Sequence, residues 1–225
     1  MEFSVHIKMN EKLYLRDPEQ SELGRKILKN GLELINKLGF EEFTFKKLAV
    51  AINTTEAGIY RYFENKHRLL IYLMTFYWSY LEYKIVFSIN NLTSPEKKIK
   101  KAIELLVVEG DDAEVPSYLS VKKLQQLVMW EGSKAYLTRH VGSDNKDRLF
   151  KPYKDLCARL SDLILSYNPK YKFPHSLAST VVEMAHAQKF FKNNLPALTD
   201  FSNEKEDKKL VAFLENLLFS SMNTK

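Results

Sequence analysis

Two short amphipathic segments, set three residues apart and preceded by a longer helix that stops at a glycine, narrow the fold of this chain more than any other stretch. Asp17-Pro18-Glu19-Gln20 offers an N-cap, a proline at the first helical position and a capping-box glutamine, and Gly39 supplies the C-terminal stop. Between them Leu23, Ile27, Gly31, Leu34, Ile35 and Leu38 recur at three- and four-residue steps, so one face is core. Thr44 caps the first short segment, with Leu48, Ala49 and Ile52 inward, and Asn53 stands where a left-handed turn residue is wanted. Thr55 caps the second, which runs through Ile59, Tyr60 and Phe63. This is the pattern of a helix-turn-helix.

The rest of the chain also reads as helix, over 66–89, 95–109, 116–139, 153–167, 175–195 and 203–221, with Pro152 and Pro174 at starts rather than interiors. Phe3, Val5, Ile7 and Met9 alternate with Ser4, His6 and Lys8, which predicts a short N-terminal strand, to be paired with another chain or laid down as an arm. The most apolar run, over 69–81, is too short for a bilayer and reads as a buried helix, so no membrane partner is expected. The single cysteine, Cys157, excludes an internal disulfide and fits a reducing compartment. The opening MEFSVHIKMNEK lacks the continuous apolar core of a signal peptide, and a cytoplasmic location is expected.

The run FTFKKLAVAINTTEAGIYRYFENKHRLL over 43–70, with LINKLGFEEF before it, resembles the DNA-binding signature of the tetracycline-repressor (TetR) family. The most specific part is Ile59-Tyr60-Arg61-Tyr62-Phe63 followed by Asn65-Lys66. The resemblance implies an all-α protein: an arm over 1–16, a three-helix DNA-binding domain over 17–66, and a helical bundle over 67–225 that dimerises and holds a small molecule. It further implies that Thr44, Tyr60, Tyr62 and Lys66 hold phosphates. Physical reasoning puts the second short helix in the major groove, the only groove that admits a helix and distinguishes all base pairs. Thr55, Glu56, Ala57 and Gly58 then lie nearest the base edges, with Tyr60 and Arg61 one turn on. Lys46 and Lys47 are either phosphate contacts or an ordinary solvated face, and Tyr62 either a contact or a packing residue. Glu56 and Gly58 depart from the family pattern, which commonly has a base at the first and a hydroxyl at the second. An acid there repels phosphate yet can accept from a cytosine amino group.

Bulk charge adds little. The chain is +6 overall, but between residues 16 and 70 ten Lys and Arg face eight acids. In the body, Ala178, Val181, Val182 and Ala185 form one helical stripe and Leu210, Phe213, Leu214, Leu217 and Leu218 another; two such stripes doubled by a two-fold axis make a four-helix dimer interface, or they pack within one chain. Phe76, Tyr77, Tyr80, Tyr83, Trp130, Tyr136, His186 and Phe190 are candidate linings for an apolar or aromatic effector, each with core packing as its other reading. No nucleophile elbow, phosphate loop, dinucleotide motif or zinc-protease motif occurs, so neither catalytic residue, cofactor nor metal is expected. Glu64 with His67 and Glu183 with His186 are the two Glu-x-x-His pairs that a di-iron bundle would need. The expected protein is a DNA-binding repressor, dimeric and controlled by a small molecule. Its alternatives are a helical interaction module without DNA binding and, further off, a di-iron enzyme.

Overall fold

The computed structural model describes residues 7–139, 141–202 and 207–222, and among them helices are the only regular elements. They are α1 (Glu22–Leu38), α2 (Phe45–Ala51), α3 (Glu56–Tyr60), α4 (Lys66–Ile89), α5 (Pro95–Val107), α6 (Val121–Tyr136), α7 (Val141–Lys146), α8 (Lys151–Tyr167), α9 (Pro174–Asn194) and α10 (Lys208–Met222). Residues 3–6 of the expected strand lie outside the described residues, and residues 7–9 form no strand.

Helix 1 begins later than its proline signal predicts. Asp17 caps a separate 3-10 turn over Pro18–Gln20, and the helix proper starts after Ser21, whose hydroxyl accepts from the Gly24 amide at 3.0 Å. Gly39 ends it with a φ of 79°, a conformation that costs a side-chain-bearing residue dearly. The stretch expected as one helix over 116–139 is also shorter. Ser120 caps α6, and Leu137 leaves the helical region at its far end. The short α7 that follows has no counterpart among the expected elements.

The chain divides into two compact units, one of Met1–Tyr80 with Gly110–Pro152, the other of Leu81–Glu109 with Tyr153–Lys225. In the first, Phe43, Phe45, Leu48, Ile59 and Phe63 form the core behind α2 and α3. From Leu69 to Trp78 every residue of α4 is buried, so this stretch is apolar all round rather than amphipathic. Phe63 and Tyr14 meet Tyr72 edge-on, and the Thr75 hydroxyl donates to the Leu149 carbonyl at 3.2 Å. In the second unit α5, α9 and α10 pack on one another. Their seam is built from Ile99, Ile103, Val181, Ala185, Leu210 and Leu214, all buried.

The close approach of α1 to the preceding turn gives a test. A Cβ on Gly24 would stand 2.2 Å from the Pro18 carbonyl oxygen, and backbone cannot move aside cheaply. Gly24→Ala is expected to destabilise the protein by about 1–3 kcal/mol. Gly142→Ala, in α7 with no atom within 4 Å, is expected to gain about 0.4–1 kcal/mol instead. Urea denaturation of both variants checks the contrast.

Candidate nucleic-acid interface

The first short helix is held by its cap and its core. Thr44 accepts from the Lys47 amide at 3.2 Å, while Phe45 and Leu48 are buried. Asn53 adopts a φ of 52°, the left-handed turn residue the sequence calls for, and the Thr54 amide donates back to the Ala49 carbonyl at 2.9 Å. Thr55 caps α3 by accepting from the Gly58 amide at 3.1 Å, and Ile59 anchors the helix from behind. What remains outward is one continuous surface: Thr44, Lys46, Lys47, Thr55, Glu56, Ala57, Tyr60 and Arg61 are all exposed. Tyr60 leans its ring edge-on against Phe45 at 5.1 Å and leaves nearly half of itself in solvent. Gly58 is half-buried, and a Cβ there would meet the Thr54 hydroxyl at 3.0 Å, so the sequence departs from the common hydroxyl residue at a place with little room.

Two residues expected at phosphates are engaged by the protein itself. Tyr62 is 2% exposed, its hydroxyl shares a 2.7 Å hydrogen bond with that of Ser21, and the Arg16 guanidinium lies over its ring. Here the packing reading of Tyr62 describes the side chain. Lys66 donates to three carbonyls, Phe40 at 2.9 Å, Glu41 at 2.9 Å and Phe43 at 3.0 Å, and stands 4.7 Å from the centre of the Phe40 ring. The turn between α1 and α2 has carbonyls with no helical partner, and an ammonium has three donors to offer them. Lys47 donates to the Glu42 carbonyl at 2.6 Å but stays exposed.

Other residues around this surface carry no local signal because their partners are remote in sequence. The buried Glu131 of α6 accepts from the Phe40 amide at 3.0 Å and pairs with Lys134 at 2.8 Å. The Asn36 amide donates to the Lys123 carbonyl at 2.9 Å, and Lys123 pairs with Glu33. The buried Asp144 takes Arg68 at 3.1 Å and faces His67 at 3.5 Å, while Asp147 takes Lys12 at 2.6 Å.

The candidate effector residues divide between the units. Phe76, Tyr77 and Tyr80 are core of the first, Tyr136 sits edge-on to Phe150 there, and Trp130 is 42% exposed. In the second unit Tyr83 stacks on Phe87 at the surface, Phe190 is half-buried beside Phe191, and His186 is buried. An enclosed apolar void of that unit, between Ile85, Ala102, Leu106, Leu160 and Val182, measures about 10 Å³, room for about one water. A far larger open cleft of about 1050 Å³ in the same unit is lined by lysines that sequence reading passed over.

The stripes proposed for dimerisation are largely consumed within the unit. Ala178, Val181, Val182, Ala185, Leu210, Leu214 and Leu218 are buried against neighbouring helices of the same chain, leaving Phe213 exposed and Leu217 half-buried. Periodicity reports that a face is buried, not what covers it. Among the described residues no three His, Cys, Asp or Glu side chains gather where a metal could sit, and Glu183 pairs with Tyr153. Burial pushes the Cys157 thiol up to about 11, which suppresses the thiolate. No helix among the described residues is long and apolar enough to cross a membrane.

Residues 27–73 match the sequence profile of bacterial regulatory proteins of the tetR family. This segment is a tetR-family domain. No curated protein matches the chain significantly. Among solved structures the fold is similar to that of AibR in complex with isovaleryl coenzyme A and operator DNA, with a TM-score of 0.61 and 17% identity over 87% of this chain and 98% of that one. It is similar also to the fatty acid degradation regulator FadR from Bacillus halodurans, at 0.58 and 19% over 89% and 98%, and to apo AibR, at 0.55 and 15% over 86% and 96%. The all-helical fold is therefore shared over 86–89% of this chain.

Lys66 and His186 supply tests. Lys66→Met leaves three turn carbonyls without their donor and is expected to lower stability by about 1–3 kcal/mol. It should weaken DNA binding on all sequences with the salt dependence unchanged, whereas a slope flatter by about one unit would mean that a phosphate contact had been lost. For His186, whose Nδ1–H donates to the Val182 carbonyl at 2.9 Å, burial is the chief cause of a lowered pKa. The unfolded chain takes up that proton first, so stability is full above about 6.5 and is lost as pH falls toward the depressed folded value. His186→Gln is expected to flatten this acid limb in melting curves recorded from about pH 7.5 down to about pH 5.

Proposed function

We propose that this protein is a sequence-specific DNA-binding transcriptional regulator, a repressor whose hold on its operator is set by a small molecule. The observation that carries the reading is the outward surface of α2, the turn and α3. Thr44, Lys46, Lys47, Thr55, Glu56, Ala57, Tyr60 and Arg61 all face solvent there, on two helices whose opposite faces are core. The family match over 27–73 supports it, as does the fold likeness to AibR, which was crystallised with operator DNA. We assign DNA reading to residues 17–66, with 1–16 as an arm and 67–225 as the sensing and dimer-forming part. In this reading Lys46, Lys47 and Tyr60 position the head on phosphates, and the first turn of α3 meets the bases.

Dimerisation suits paired half-sites, and a homodimer is part of the proposal. The surface side chains Phe213 and Leu217 of α10 remain for it, once the buried stripes are set aside. For the effector, AibR binds isovaleryl coenzyme A and FadR regulates fatty acid degradation, which favours an anionic molecule with an apolar part over the apolar or aromatic one expected from the sequence. The buried aromatics are occupied with one another. We assign no catalytic role, and the location that fits the reading is the cytoplasm.

Binding of labelled fragments from the DNA upstream of the protein's own coding sequence, followed by fluorescence anisotropy at several salt concentrations, tests the proposal. The expected result is affinity for one fragment at least about 10³-fold above bulk DNA, falling steeply with salt. Absence of salt-dependent binding to any fragment would turn the reading to a helical interaction module. Glu56→Ala should tighten non-specific binding, because it removes an exposed negative charge from the surface that meets phosphate. Unchanged or weaker non-specific affinity overturns that role for Glu56.

A further inference from the structure

The open cleft of the second unit has a composition unlike an apolar effector chamber. Six lysines and four carboxylates line its volume of about 1050 Å³. The lysines converge from three helices: Lys97, Lys100 and Lys101 share one face of α5, Lys189 and Lys192 stand one turn apart on α9, and Lys208 opens α10.

The two lysines of α9 are the telling ones. Their side chains are 7% and 9% exposed, and both pair with Asp207, at 3.2 Å and 2.8 Å. Lys189 also donates to the Val107 carbonyl at the end of α5, at 2.7 Å. Taking an ammonium out of water is costly, and for stability alone an apolar side chain of similar volume would serve as well or better. Two ammoniums fixed in place by a shared carboxylate form instead a preorganised array, in which little rotamer entropy is lost when an anion arrives.

We propose that this cleft binds a small organic anion carrying two or more phosphate groups. Ammonium side chains suit phosphate as point charges, and lysines drawn from three walls suit a ligand with more than one charged group. The volume exceeds what a single inorganic anion fills and lies at the upper end for small-molecule sites. Leu92, Val108 and Val211 give the uncharged part of the ligand an apolar surface, and the lining carboxylates can accept from its hydroxyl or amide donors. The inference deepens the effector reading and rests on it only for its consequence at DNA.

Calorimetric titration of the full chain with tripolyphosphate and with ADP, at about 150 mM salt, tests it. Saturable binding is expected for both, weakened about tenfold or more in Lys97→Ala/Lys100→Ala, which alters only the exposed rim. Lys192→Met should weaken it similarly, with a melting curve to verify the fold. Lys26→Ala/Lys29→Ala, which removes two lysines from α1, should leave it unchanged. Heats that do not saturate for either probe, or an equal loss in both double variants, overturn the site. DNA binding measured without these probes reports on the regulator reading separately: its failure beside an intact titration sinks that reading alone, and the converse sinks the cleft alone.

Discussion

An ammonium group has three donors and no acceptor, and Lys66 spends its donors on the turn that joins α1 to α2. Those carbonyls belong to Phe40, Glu41 and Phe43, and Phe40 and Phe43 are themselves buried. Lys66 is also the first residue of α4, so one side chain fixes the start of that long helix to the place where the first helix hands over to the reader. Phe43, Phe45 and Phe63 then pack beneath, and α2 and α3 have no freedom to present any face but the one holding Thr44, Thr55 and Tyr60. The charge is half-buried and satisfied by backbone dipoles, which makes it a structural clasp rather than a surface cation.

The interior of α4 shows what most of its aromatic side chains do in the fold. A helix buried on every side must meet neighbours on every side, and Phe76, Tyr77, Trp78 and Tyr80 do so in a close-packed core. Two tyrosine hydroxyls of α4 find carboxylates: that of Tyr80 donates to Glu114, and that of Tyr72 to Glu19 at 3.4 Å. The large cleft of the second unit is lined mostly by charged residues, which come together from α5, α9 and α10 and so leave no signal along any one helix.

What could be read in advance was what local chemistry dictates. The caps at Thr44 and Thr55, the left-handed Asn53, the stop at Gly39 and the inward Leu48, Ile59 and Phe63 are each fixed within four residues of chain, and the structure has all of them. Ser21 takes the place of Asp17 as the cap of α1, while Asp17 caps the 3-10 turn before it; both are good caps, and local chemistry does not choose between them. The roles of Lys66, Glu131 and Asp144 depend on partners 23 to 91 residues away, and no spacing rule reaches so far. The stripes on α9 and α10 were correctly apolar, yet a stripe carries no record of whether its cover comes from the same chain.

The polar bridges between α1 and α6 bear on how the proposed regulator would respond to the proposed effector. Lys123 meets Glu33 near the middle of α1, Asn36 donates to the Lys123 carbonyl, Glu131 accepts from the Phe40 amide just past the end of α1, and Lys134 reaches Glu41. Apolar contacts tolerate sliding, whereas hydrogen bonds weaken steeply once geometry is lost. A helix joined to α1 mainly by the first kind would move without moving the reader. One joined by this series either carries α1 with it or breaks bonds, and the buried Glu131 makes breaking expensive, because its carboxylate would lose the Phe40 amide and leave that amide without its acceptor. Allosteric coupling needs only about 1–3 kcal/mol of difference between two arrangements. Two or three of these contacts, made in one arrangement and lost in the other, supply that difference at the turn that Lys66 holds.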